Sequence, residues 1–387
     1  MLDQILQITL LNLRNLPSRL GSSSVIVVGI AGVVGVMVAI LAMAGGFRSV
    51  LENTADETRA IVMRDGASGE LSSGISREAI DIILTLENVR LASPELFVIV
   101  DAPKRSNGES ANLVVRGVSQ AAFDIRPELK ITAGRMFETG KRELIAGRGA
   151  SAEFEKVEIG NRLQMRDAEW QVVGLFETGG DAHESEVWGD LPVTQSTFRR
   201  GAGVNTLRIR FDTPDMIDDI KRRIAEDPRL DLKATSESEY YSSQSESLSN
   251  LITGFGYTIA IIMAVGAVFA ALNTMYSAVS TRSVEIATLR ALGFGGMPVL
   301  VSVMIEALAL ALLGGLLGGF VAYVLFNGMT VSTLNNVSFS QVAFDFVVSA
   351  ELIYQGLVWA IGLGFIGGLF PAARAARLPI ATALRGN

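Results

Sequence analysis

Glu306 is the first residue whose chemistry needs an explanation. It is the one charge in Met297–Phe326, a run otherwise apolar or small. A carboxylate inside a bilayer span costs ~3 kcal/mol or more unless it is paired, neutralised or near water. Glu306 is therefore a functional group, or a carboxylate that lies near the interface or is satisfied by a neighbouring helix. A second set of residues lies just before it, in Thr281–Gly296 (TRSVEIATLRALGFGG). At 100° per residue, a helix there puts Val284, Ala287 and Ala291 on one small-residue face. Arg282, Glu285, Ile286, Leu289, Arg290 and Leu292 fall on the other side. Exposed apolar groups among charges describe a docking surface for another protein, or an amphipathic helix lying on a membrane.

Other chemistry is thin. His183 is the only histidine, with Asp181, Glu184 and Glu186 near it in sequence. One His without Cys is poor metal-ligand stock, so a solvated loop is expected and no metal site. The chain has no cysteine, which removes thiolate metal sites, cysteine nucleophiles and disulfides from consideration. No GxxxxGK[ST] occurs, so the chain has no P-loop of its own for ATP. Gly147–Gly149 lacks the third glycine and acidic partner of a dinucleotide site and reads as a turn. Tyr240-Tyr241 has no basic partner at suggestive spacing. Nothing here supports nucleophilic or acid–base catalysis, and the chain is not expected to be an enzyme.

The elements around these residues are membrane spans. The 387 residues are 49% hydrophobic and 19% charged, against ~25% charged in a typical soluble protein. Long uncharged runs occur at Val25–Ala44, Leu251–Thr281, Ala307–Phe344 and Leu352–Ala373. Four spans follow: Val25–Ala44, Leu251–Thr281, Met297–Phe326 and Leu352–Ala373, each long enough to cross ~30 Å of hydrocarbon. A cleaved signal peptide competes for the first, but its apolar core exceeds the usual ~7–15 residues. Arg14, Arg19, Arg282, Arg290, Arg374, Arg377 and Arg385 fall in the N-terminal segment, one short loop and the tail. The loop Asn327–Glu351 has no Lys or Arg. The positive-inside rule then puts both termini and the 281–296 loop in the cytoplasm. Ala31, Gly35 and Ala39 repeat every four residues in the first span, and Gly pairs recur in the third and fourth. Such faces favour close helix packing, a tight bundle or dimer, over an open pore. The net charge of −7 gives no general attraction to nucleic acid.

Gly45–Asn250 must then lie outside, and it reads as an α+β domain. Val204–Phe211 alternates, with Leu207, Ile209 and Phe211 inward and Thr206, Arg208 and Arg210 outward, a half-buried strand. Thr213 and Pro214 then open a helix in which Ile217, Ile220 and Ile224 are buried. Ser76–Leu86 is a second helix; Leu96–Val100, Leu113–Val118 and Trp170–Phe176 are strands. Thr235–Ser249 is Ser-rich, and Phe47–Thr58 is similar in character. The first is a flexible linker or, with the second, one of two helical stalks.

At these residues the chain resembles the permease subunits of the MacB/FtsX-like class of ABC transporters. Thr281–Gly293 is similar to that family's R-x-x-E-I-x-x-L-R-A-x-G coupling segment, and Pro371–Gly386 to its terminal motif. Gly134–Phe137, Glu143–Gly147, Gly160 and Val172–Phe176 resemble its periplasmic core domain. The resemblance implies four transmembrane helices, one and then three. Residues 1–44 are the N-terminal segment and first helix, and 45–250 a MacB-like extracytoplasmic domain with stalks. Residues 251–387 are an FtsX-like domain with the coupling segment 281–296. It implies ATPase docking at Arg282, Glu285, Arg290 and Gly293, with Ile286 and Leu289 between them, and a permease dimer in the bacterial inner membrane. The partners implied are a separate ATP-binding subunit that holds ATP and Mg, membrane lipids, and a periplasmic adaptor for transport. The function implied is export of a hydrophobic compound, peptide or lipoprotein, or mechanical signalling to a cell-wall hydrolase or sensor.

Overall fold

The computed structural model describes residues 7, 9, 20–335, 341–380 and 383. Arg14, Arg19 and Arg385, used in the charge reading, and part of the loop Asn327–Glu351 lie outside them. The described elements begin with α1 (Leu20–Thr54), β1 (Arg59–Arg64), α2 (Arg77–Ile83), β2 (Leu91–Pro103), β3 (Ser110–Val118) and α3 (Ala121–Ile125). There follow β4 (Lys130–Gly134), β5 (Glu143–Gly147), α4 (Arg148–Glu153), β6 (Arg162–Met165), β7 (Ala168–Glu177) and β8 (Glu186–Asp190). Then come α5 (Leu191–Phe198), β9 (Thr206–Arg210), α6 (Met216–Glu226), β10 (Leu232–Ser236), α7 (Glu237–Thr281) and α8 (Ser283–Ala291). The last are α9 (Gly296–Phe326), β11 (Thr330–Leu334), β12 (Gln341–Asp345) and α10 (Ala350–Ala376).

The chain divides into two compact units. One comprises Met1–Gly45, Leu251–Met329 and Phe346–Asn387; the other comprises Gly46–Asn250 and Thr330–Asp345. Among the described residues, four helices, α1, α7, α9 and α10, are long and apolar enough to cross a membrane. In the helical unit, glycines set the packing distance. A Cβ on Gly318 would meet the carbonyl oxygen of Ala31 at 2.5 Å, and one on Gly314 that of Val27 at 2.8 Å. The small-residue face of α1 thus lies directly against α9: Gly35 faces Gly318, and Ala39 is buried. Gly315 faces Ala360 of α10 in the same way. With no polar side chains to bond across these seams, close backbone approach supplies the van der Waals contact that holds the helices.

The other unit is built on one mixed ten-stranded sheet, ordered β10-β1-β9-β2-β3-β8-β5-β7-β4, with β6 on β7. The β3–β8 and β5–β7 pairs are parallel and the rest antiparallel. Helix α6 starts at Met216, two residues after Pro214, and buries Ile220 and Ile224. Gly147 ends β5 and is the N-cap of α4. The Ser-rich segment is no linker: from Glu237 it is helical, continuous with the second span in the 45 residues of α7.

One sequence expectation fails here. Both faces of β9 are buried, Arg208 fully. The Lys/Arg-free segment after α9 holds two strands. It forms the β11–β12 hairpin, which is part of the outer unit. Ser332 Oγ donates to Glu153 Oε1 at 2.6 Å and accepts from Lys104 Nζ at 3.1 Å. Ser185 Oγ accepts from the Ala343 N–H at 3.0 Å, and Phe344 meets Phe47 edge-on. A two-stranded hairpin is marginal alone; these contacts hold it.

Substituting Gly318 by Leu should lower the thermal midpoint of the detergent-solubilised chain, at a cost of about 1–3 kcal/mol. Gly362, with nothing within 4 Å of its Cβ position, is the control, and Gly362→Leu should leave the midpoint unchanged or raise it.

Candidate functional site

The segment between α7 and α9 is a short helix pinned at both ends. Arg282 has left the helical conformation, and α8 begins at the next residue. Gly293 has φ +95. Its N–H bonds the Arg290 carbonyl at 3.1 Å, and the Phe294 N–H bonds that of Leu289 at 3.1 Å, so the helix stops where glycine is cheap. At the other end, Arg282 Nη1 donates to Glu306 Oε2 of α9 at 3.0 Å, and both side chains are buried. Arg290 Nη1 donates to the Leu378 carbonyl at 2.5 Å. Glu306 is therefore paired with a residue of a neighbouring element.

This pinning rotates α8 from the expected orientation. Arg282, Ile286 and Ala287 face inward, and Leu289 and Arg290 are half-buried. Val284 is 53% exposed and Leu292 73%, with Glu285, Thr288 and Ala291 also outward. Arg282 and Ile286 are thus corrected from the exposed side to the buried one. Periodicity groups residues by angle but does not say which side faces the protein; here a buried ion pair decides it.

The outer unit holds a second constellation, which the sequence reading missed. Arg116 forms a bidentate pair with Glu186 (Nε–Oε2 and Nη2–Oε1, both 2.7 Å), and its Nη1 donates to Glu70 at 2.6 Å and Glu95 at 2.9 Å. Arg126 pairs with both oxygens of Glu95, at 2.8 and 3.1 Å. Arg208 donates to Glu237 at 2.5 Å, Glu70 at 3.1 Å, Glu95 at 3.2 Å and the Tyr241 hydroxyl at 2.9 Å. Arg59 lies 2.9 Å from the other oxygen of Glu237. All eight charged side chains are buried. Glu95, Arg116, Glu186 and Arg208 each sit in a strand among β-branched or aromatic residues. A charge of alternating sign in each of four such strands was the available signal. The network reaches Glu237 and Tyr241, in the first turns of α7.

His183 borders this network and is not in a solvated loop. It is 2% exposed, its ring edge-on to Trp188 and to Tyr241. Its Nδ1 lies 3.2 Å from Asp181 Oδ2. Among the described residues, no group of three His, Asp or Glu is placed to hold a metal. Tyr241 has its basic partner after all, in Arg208, 33 residues away.

Comparison with known proteins decides what these parts belong to. Residues 23–227 match the MacB-like periplasmic core domain family, and residues 257–380 the FtsX-like permease C-terminal family. The chain belongs to the MacB/FtsX-like family of ABC transporter permeases. It is 24% identical to a macrolide export ATP-binding/permease protein MacB of Bdellovibrio bacteriovorus, over 93% of this chain and 58% of that one. A MacB of Campylobacter jejuni is 26% identical, over 96% and 59%. The chain thus spans under three fifths of the length of these relatives. It is 24% identical to an uncharacterized ABC transporter permease of Methanocaldococcus jannaschii, over 66% of each. The periplasmic region of MacB from Actinobacillus actinomycetemcomitans aligns with 50% of this chain and 92% of its own, with 10% identity and a TM-score of 0.36.

In this permease the outer network has a defined response to acid. Burial would raise Glu95, but Arg126, Arg208 and Arg116 overcome it and hold the carboxylate well below its usual range. Burial likewise opposes, and Arg116 and Arg208 outweigh, in Glu70, which is also lowered. Burial holds His183 well below the usual imidazole value, against the attraction of Glu186. Burial raises Asp181, which acts in the opposite sense as pH falls. A lowered imidazole stays neutral in the fold while the unfolded chain binds a proton below about pH 6.5, so stability falls from there downward. The lowered carboxylates contribute fully above about pH 4.3, and that contribution is lost as pH falls through their folded values. Melting of a Trp359→Phe chain, followed by Trp188 and Trp170 emission, should therefore lose midpoint between pH 7 and 5. His183→Gln should flatten that segment; an unchanged slope would show that His183 does not cause it.

Proposed function

We propose that this chain is the membrane subunit that couples ATP hydrolysis by a separate ATPase subunit to movement of its outer unit. In this reading two copies pair in the bacterial cytoplasmic membrane with both termini inside, and ATP with Mg is bound by the partner. The observation that carries the reading is the course of α7. It is one uninterrupted helix from Glu237, gripped by Arg208 and Arg59, to Thr281, next to the ion-paired Arg282. A continuous helix transmits displacement along its length, whereas a flexible linker absorbs it. The ATPase meets the exposed side of α8 at Val284, Glu285, Thr288 and Leu292, while Arg282, Ile286, Arg290 and Gly293 position that helix. Leu289 lies between the two groups.

The cargo class is a hydrophobic compound, peptide or lipoprotein, delivered outside the membrane, with an adaptor protein where the route continues. The helical unit supports an apolar cargo or a lipid neighbour: a groove of about 460 Å3 runs between α1 and α9, lined by Gly35, Ala39, Val321 and Phe326. ATPase stimulation of the reconstituted complex by an apolar cargo tests transport. Stimulation by a wall hydrolase instead would replace transport with mechanical signalling.

Val284→Asp combined with Leu292→Asp should reduce co-purification of the ATPase at least tenfold while leaving the permease folded, because both side chains are exposed. Because the ATPase is cytosolic, the same measurement tests the orientation of the loop. Undiminished co-purification and coupled hydrolysis would place the docking surface elsewhere.

A further inference from the structure

The outer unit has a cleft that the coupling reading does not use. It is open to solvent and measures about 770 Å3 between the Val98–Asp101 segment of β2, the tip of the β6–β7 hairpin and the end of α5, within the range of ligand-binding clefts. Its rim carries three exposed guanidinium groups, Arg166, Arg199 and Arg200, against one exposed carboxylate, Asp101. Arg199 also lies 3.4 Å from Asp167, both largely solvated, so the rim remains basic. The Arg166 guanidinium stands 5.8 Å from the ring centroid of Phe198, on the cleft floor.

Two of these arginines occupy backbone positions that disfavour any side chain. Arg166 has φ 50 in the two-residue turn between β6 and β7, and Arg199 has φ 55 at the C-cap of α5. Glycine is the low-strain residue at both sites. The chain has 39 glycines, yet places arginine at both positions on the same cleft. Local backbone energetics argue against that choice, as they do at Lys156 (φ 62), but Arg166 and Arg199 border a common cleft.

The β2 wall has an open edge. Even-numbered residues of β2 face β3, and Lys104 N–H continues that pattern by bonding the Glu109 carbonyl. Odd-numbered residues face the other side. There the Glu95 carbonyl accepts from Asn205 N–H and the Phe97 N–H donates to Asn205 Oδ1. Further along, the Pro103 carbonyl accepts from Glu155 N–H. Between these points Ile99 and Asp101 present N–H and C=O groups to the cleft, with no strand beside them among the described residues. Unpaired strand edges are templates for another strand.

We propose that this cleft binds an extended acidic peptide segment of a partner protein, which pairs with β2 at Ile99 and Asp101 and sets its carboxylates against Arg166, Arg199 and Arg200. Main-chain bonds at the open edge give the segment its register, the arginine rim selects its charge, and Phe198 takes an apolar side chain of the alternate face.

The test uses the full chain in detergent and a fluorescein-labelled, acetylated hexapeptide of alternating glutamate and valine, followed by anisotropy at 150 mM salt. Saturable binding is expected, absent for the lysine–valine counterpart. A peptide of the same charge interrupted by proline should bind at least tenfold more weakly. Arg166→Gly and Arg199→Gly should each weaken binding at least tenfold while raising the unfolding midpoint, because glycine relieves the backbone at both sites. No saturable binding would overturn the proposal, as would glycine variants that gain stability without losing affinity. Equal binding of the proline-interrupted peptide would also overturn it, leaving a site for anions alone.

Discussion

The structure of this permease depends on how it compensates buried charge. Four arginines and four glutamates form one buried network in the outer unit, where an uncompensated ion would cost several kcal/mol. Each guanidinium therefore needs its carboxylate in a defined direction, and the carboxylates come from β2, β8, the turn at Glu70 and the first residue of α7. An apolar core of the same volume would be as stable or more so, but would tolerate sliding between its parts. The bidentate Arg116–Glu186 and Arg126–Glu95 pairs do not. They fix where the strands stand, and through Arg208 and Arg59 they fix where α7 begins.

The same physics recurs in the helical unit at lower charge density. Its helices pack by glycine and alanine seams, with little polar chemistry between them, so one ion pair has a large positional effect. Arg282 and Glu306 are 24 residues apart in sequence, and their pairing determines which side of α8 is buried. The exposed remainder is what another protein would meet. Both ends of α7 therefore adjoin groups that directional charge contacts hold in place.

Sequence periodicity captured what depends on local pattern: the four spans, the strand at Val204–Phe211, the helix after Pro214 and the small-residue face of α1. It failed where a partner is remote. Thr206, Arg208 and Arg210 alternate as a solvated strand face would, but Arg208 meets Glu95 and Glu70, 113 and 138 residues away. Alternation cannot distinguish water from a buried counter-ion. The His183 loop failed for the same reason, since Trp188 and Tyr241 close over it only after the sheet has formed. The docked hairpin after α9 was hidden because its contacts, from Ser332 to Glu153 and from Ala343 to Ser185, join segments far apart in the chain. In the coupling segment a helix was legible, and its rotation was not.

The central claim is that charge pairing makes the first turns of α7 part of the outer fold. Hydrogen exchange of the amides in residues 237–244 measures this directly, comparing the native chain with Glu237→Gln. If Arg208 and Arg59 hold that helix start, exchange there is as slow as in β9. The substitution should then speed it at least ~30-fold, about 2 kcal/mol, while β5 and β7 stay protected. Equal exchange in both chains would contradict the account.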